Sequence, residues 1–82
     1  MSREEVLIIS HNGVARKDNY DGRLCYFSED DEGIKHQLPV VDVALKDGDD
    51  IFAYHVACIR ELSPHEVEQH IQQSGIKHFA TP

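Results

Sequence analysis

Apolar and polar positions alternate over short distances along this chain, and glycine-containing pairs mark where one stretch gives way to the next. Asn12-Gly13 separates EVLIIS from VARKD, Asp21-Gly22 precedes RLCYF, EDDEG ends at Gly33, and Asp47-Gly48 falls inside KDGDD. Asn-Gly and Asp-Gly favour type I′ turns, whose twist matches a two-stranded hairpin. The stretches between them carry β-branched and aromatic residues that suit strands. This pattern predicts a small antiparallel β-meander of about five strands, near 5–10, 14–19, 23–28, 34–45 and 51–59. Pro39 cannot donate to a ladder and marks an edge or a bend in the fourth strand.

The last two strands allow a test of face consistency. With Asp47-Gly48 as a two-residue loop, Val43 stands opposite Phe52 and Val41 opposite Tyr54. Val41, Val43, Phe52, Tyr54, Val56 and Cys58 then share one large apolar face, the expected core. The other face carries Val40, Asp42, Ala44, Ile51, Ala53, His55, Ala57 and Ile59, and it also needs a cover. A helical reading of 51–62 exists as well, with apolar residues at 51, 52, 55, 58, 59 and 62. The β-branched and aromatic content and the Asp-Gly signal favour the strand.

ELSPHEVEQHIQQSG gives the clearest local signal. Ser63 is a suitable N-cap, Pro64 fits the first helical position, and Glu66 completes a capping box. Leu62 and Val67 occupy the positions of a hydrophobic staple, and Gly75 stands where a helix stops. Val67 and Ile71 form a thin apolar stripe, so one side docks and Glu68, Gln69, Gln72 and Gln73 stay wet. Ile76 and Phe79 in the tail can add a short strand or plug the core edge. The expectation is one α+β domain over residues 1–82, a five-strand meander followed by one C-terminal α-helix.

Charge narrows the function. Fifteen carboxylates against eight Lys and Arg give a formal charge of -7, which repels phosphate backbones and argues against direct nucleic-acid binding. Seven of these carboxylates fall in two clusters, Glu29, Asp30, Asp31 and Glu32, and then Asp47, Asp49 and Asp50. Turns favour Asp for backbone reasons alone, yet such clusters can also meet an Arg-rich surface on a protein partner. No apolar run exceeds four residues, which leaves no membrane span or signal peptide. Two cysteines without an export signal are read as free thiols in a reducing, cytoplasmic setting.

Candidate chemistry is sparse. His55 and Cys58 have the spacing of a zinc half-site, and a complete site would need Cys25 and His36 as the second pair. A strand over 51–59 points His55 and Cys58 to opposite faces, so the structural reading prevails and no metal or other cofactor is expected. No nucleophile motif and no phosphate-cradling glycine pattern occur, and the chain is read as non-enzymatic. Six histidines are many for 82 residues; full protonation would move the formal charge from -7 to -1. His65, His70 and His78 lie on or just after the helix, as a polar face or a pH-sensitive interface.

By elimination, the sequence reads as a small acidic protein that acts by protein–protein binding, as an inhibitor, adaptor or regulatory subunit. The start at Met1 reads as a full small gene product, a class that includes phage-type inhibitors of host enzymes. A nucleic-acid mimic and a small zinc module on Cys25, His36, His55 and Cys58 are the alternatives. The expected partner carries a basic surface, and an exposed strand edge invites β-augmentation or a homodimer.

Overall fold

The computed structural model describes residues 4–79. Five strands and one helix follow one another: β1 (Glu5–Ile9), β2 (Ala15–Asn19), β3 (Cys25–Glu29), β4 (Lys35–Asp47), β5 (Asp50–Ala57) and α1 (Pro64–Ser74). The class is α+β, but the sheet is mixed and not an antiparallel meander. Its order is β2-β1-β5-β4-β3, and β1 runs parallel to β5 with Leu7 opposite Val56.

The order follows from which strands tolerate burial. In β1, Val6, Leu7, Ile8 and Ile9 are all buried, as expected of a strand covered on both faces. β2 reads ARKDN and is exposed from Arg16 to Asn19. A meander would have placed it between β1 and β3, with its charges flanked by strands on both sides. At the sheet edge they stay in water.

The sheet curls, so that its two faces form two cores. On the inner face Val6, Ile8, Tyr26, Leu38 and Ala57 make one cluster, with Tyr20, Val40 and Ile59 packed against it. On the outer face Leu7, Ile9, Val56 and Cys58 meet Val67, Ile71 and Ile76. Burying side chains of this size stabilises by about 1.5–3 kcal/mol each relative to exposure. The second face of the last hairpin is thus covered at its Val40, Ala57 and Ile59 end by the curl itself.

Strand β4 changes partner at Pro39. Before it, β4 pairs with β3 from Lys35 to Pro39; after it, β4 pairs with β5 from Val40 to Asp47. The proline lies beyond the last β4–β5 pair, Val40 with Ala57, where its missing N–H costs no ladder bond.

The hairpin register differs from the expected one by two residues. Asp47 pairs with Asp50, Val43 with Tyr54 and Val41 with Val56, so the loop is Gly48-Asp49. A type I′ turn at Asp47-Gly48 requires positive φ at Asp47, and no described non-glycine residue has positive φ. Gly48, at φ 63°, instead takes the first loop position, as in a type II′ turn. A shift of two preserves side-chain parity, and the expected face assignment therefore holds.

The helix forms where its local signals predict, with one of the two bonds of the capping box. Ser63 accepts a hydrogen bond from the Glu66 N–H at 3.2 Å, Pro64 opens the first turn, and Gly75 closes it at φ 70°. Val67 and Ile71 are its buried residues. Ile76 joins the outer core, and the Phe79 N–H bonds the Ala53 carbonyl at 2.9 Å, so the tail plugs the sheet just ahead of the start of β1.

Candidate functional site

Two polar clusters close the ends of the inner core. At one end His55 is only 7% exposed. Its Nδ1–H donates to Asp42 Oδ1 at 2.8 Å, and its Nε2 lies 3.5 Å from Glu4 Oε1. Phe79 stacks on the ring with centroids 3.8 Å apart, and Tyr20 packs against it at 4.2 Å. Asp42 and His55 stand directly opposite in the β4–β5 ladder, which is why they meet. An Asp–His pair is the arrangement of a general base, but this imidazole is enclosed by aromatic rings. Its contacts join β4, β5 and the tail.

At the other end His11 bonds the Ser28 hydroxyl through its ring Nδ1, and stacks on His36 with centroids 4.7 Å apart. His36 Nε2 lies 2.9 Å from Asp30 Oδ2. Asp30 also caps its own turn, with Oδ1 accepting from the Glu32 and Ile34 N–H groups, each at 2.9 Å. The His36 hydrogen bond, helped by those from Ile34 and Glu32, holds the Asp30 carboxyl below the ordinary carboxylate value. Ser28 is buried and serves as a fastener between the β1–β2 turn and β3.

The acidic clusters do not form one patch. Glu29 to Glu32 lie at the β3–β4 turn, and Asp47, Asp49 and Asp50 lie at the β4–β5 turn. The 13 residues of β4 separate them by up to about 40 Å at the usual rise per residue. Glu29, Asp31, Glu32, Asp47, Asp49 and Asp50 are exposed, while Asp30 is committed to its turn and to His36. Lys35 and Lys46 interrupt the acids at either end of the strand, so the carboxylates do not make the continuous row that a phosphate mimic needs.

The residues of the alternative zinc set stay apart. His55 lies on the inner face, Cys58 in the outer core, and Cys25 opposite Pro39 at the β3–β4 ladder. No three described His, Cys, Asp or Glu residues are grouped so as to hold a metal ion. Burial pushes the Cys58 thiol up from its ordinary value, as expected of a buried apolar-like cysteine. His55 is buried beneath Tyr20 and the tail.

An open apolar region lies on the outer face. The helix lies over β1 and β2 and leaves the β4 side of the same face uncovered. A groove of about 610 Å³ runs there, lined by Pro39, Val41, Val43 and Leu45 of β4 and by Leu62 and Val67 at the helix start. Arg60, His65 and Glu68 stand at its rim. Cys25 pairs with Pro39 and Phe27 with Gln37, which places Phe27 on this same face. Phe27 is 60% exposed and Val41 45%. Contiguous apolar surface of this kind is uncommon on a monomer and marks interaction sites.

Sequence reasoning placed Asp42 and His55 on one face but not opposite each other, because the two-residue register error set Asp42 against Ala53. Placing glycine first in the loop would have shown the pair. The groove had no sequence signal, since it depends on which strands the helix covers. Comparison with protein-family models, with curated proteins and with solved structures finds no match for this chain. Among the described residues no helix is long and apolar enough to cross a membrane.

Proposed function

We propose that this chain is a non-enzymatic protein that acts by binding another protein, as an inhibitor, adaptor or regulatory subunit. The observation that carries this reading is the apolar groove between β4 and the start of α1, which gathers Pro39, Val41, Val43, Leu45 and Leu62 in one place, whereas the other exposed large apolar residues, Val14, Leu24, Phe27, Ile34 and Ile51, lie outside it. The acidic turns extend it. Asp47, Asp49 and Asp50 lie just past the Leu45 end of the groove, and Glu29, Asp31 and Glu32 lie past the Pro39 end.

The fitting partner is a protein segment that is apolar in its middle and basic at its flanks. Its apolar side chains supply affinity by leaving water. The carboxylates steer encounter and select against acidic partners, an effect that weakens as salt is raised.

The test is NMR titration of the labelled protein with a synthetic amphipathic peptide, leucine-rich in the middle and arginine-flanked. Shifts should centre on Val41, Val43, Leu45 and Leu62. Val41→Glu should abolish them, and Asp47→Lys with Asp49→Lys should weaken them and flatten their salt dependence. Shifts that ignore Val41→Glu would refute the groove as the binding surface.

A further inference from the structure

The outer edge of β3 is unpaired among the described strands. Its backbone phase is fixed by two bonds, the Asp30 N–H to the Ile34 carbonyl and the Val40 N–H to the Leu24 carbonyl, each 2.9 Å. Antiparallel ladders alternate bonded and non-bonded pairs. Tyr26 and Ser28 therefore turn their backbone groups to β4, while Cys25, Phe27 and Glu29 turn theirs outward.

The other outer edge is guarded. β2 presents Arg16, Lys17 and Asp18, all exposed, the charged residues that keep sheet edges from pairing. β3 carries one exposed charge of its own, Glu29, and beside it a half-buried cysteine and an exposed phenylalanine.

We infer that the β3 edge pairs with the same edge of a second copy of this chain, antiparallel and centred on Phe27. In that register Phe27 exchanges both backbone bonds with Phe27 of the second copy, and Cys25 does so with Glu29 of the second copy. All three outward-facing residues on each strand are then used, and the two Phe27 rings cover each other on the outer face. The charges select this orientation. Arg23 precedes β3, Glu29 ends it, and Asp31 and Glu32 follow in the turn, so parallel pairing sets acids against acids. Antiparallel pairing brings Arg23, just before β3, toward the turn that holds Asp31 of the second copy. Asp21 grips Arg23 through Nε and Nη2, at 3.1 and 2.9 Å, which leaves the Nη1 side for that second carboxylate. The result is a continuous ten-strand sheet with one groove per copy, an isologous interface. The inference does not depend on the groove's partner.

Sedimentation velocity over a concentration series tests it on the full chain. The wild type should reach twice the 9.3 kDa chain mass. Phe27→Lys should raise the dissociation constant by about tenfold or more, as loss of a central aromatic does. Because Phe27 is exposed in the single chain, circular dichroism should show the variant folded. Arg23→Glu should also weaken the dimer, and adding Asp31→Arg should restore it, a rescue that damage to the fold would not give. Val41→Glu in the groove should leave the dimer intact. A wild type that stays monomeric at the highest concentration reached would overturn the inference. So would a dimer indifferent to Phe27→Lys, or one lost in Val41→Glu but kept in Phe27→Lys.

Discussion

The two cores of this domain are built from the same strands yet closed by different means. On the outer face Leu7, Ile9 and Val56 are covered by an amphipathic helix that reaches only part of the sheet, and apolar surface is left over beside β4. On the inner face Val6, Ile8, Tyr26 and Leu38 are enclosed by the curl of the sheet itself, and polar clusters close its ends. One core is open at a side and leaves apolar surface uncovered. The other is closed and holds the curl in shape. In a chain of 82 residues, where one core is small, this division lets an open apolar face coexist with a packed interior.

The largest expected effect separates the two directly. Leu38→Ala removes a fully buried side chain from the closed core, where little can move in to fill the space. Its cost should lie near the top of the 2–5 kcal/mol typical of such truncations. Ile71→Ala, in the helix face beside the groove, should lie near the bottom, because the helix can settle onto the sheet. Urea unfolding of both variants checks the order. A greater loss for Ile71→Ala would break the distinction between a closed and an open core.

The second effect concerns the polar closure. Asp42 has a side chain 63% exposed, and substitution at such surface positions usually changes stability by less than about 0.5 kcal/mol. Asp42→Ala should instead cost about 1–3 kcal/mol, because it strips the buried His55 Nδ1 of its acceptor. The double variant Asp42→Ala with His55→Leu should recover much of that loss, since both polar partners are then gone. Stability measurements on the double-mutant cycle decide it; simple additivity would mean that the pair contributes nothing as a pair.

How far this arrangement was legible follows from the range of the signals. The helix was readable to the residue because Ser63, Pro64, Glu66 and Gly75 act within one turn of the chain. The strands were readable because alternation and turn residues are local too. The sheet order was not, since the parallel contact of β1 with β5 joins residues nearly fifty positions apart. A clue was present: VLII is apolar at every position, the mark of a strand buried on both faces, whereas ARKDN is fit only for an edge. In the β4–β5 hairpin the faces survived the register error because two residues is the period of a strand. The pairing of Asp42 with His55 did not survive it. The acidic residues were readable as turns, but their separation required the length and continuity of β4 through Pro39, which marks an edge or a bend. The open groove lay furthest from the sequence, because it is set by what the helix fails to cover.

The smallest effect sharpens the comparison at the other end of the inner core. Hydrogen bonds from His36 and from the Ile34 and Glu32 N–H groups favour the charged form of Asp30 and hold its carboxyl below the ordinary value. A depressed carboxyl contributes stability above its unfolded value of about 3.9, and that contribution is lost as the pH falls through the lower folded value. Asp30→Asn should therefore be less stable than the wild type at neutral pH. The difference should shrink below about pH 4 and disappear at more acid pH, where both side chains are uncharged. Hydrogen exchange should place the loss at the β3–β4 turn and leave the helix side unchanged. A pH-independent difference would mean that Asp30 acts only by capping its turn and that its charge does not help to close the inner core.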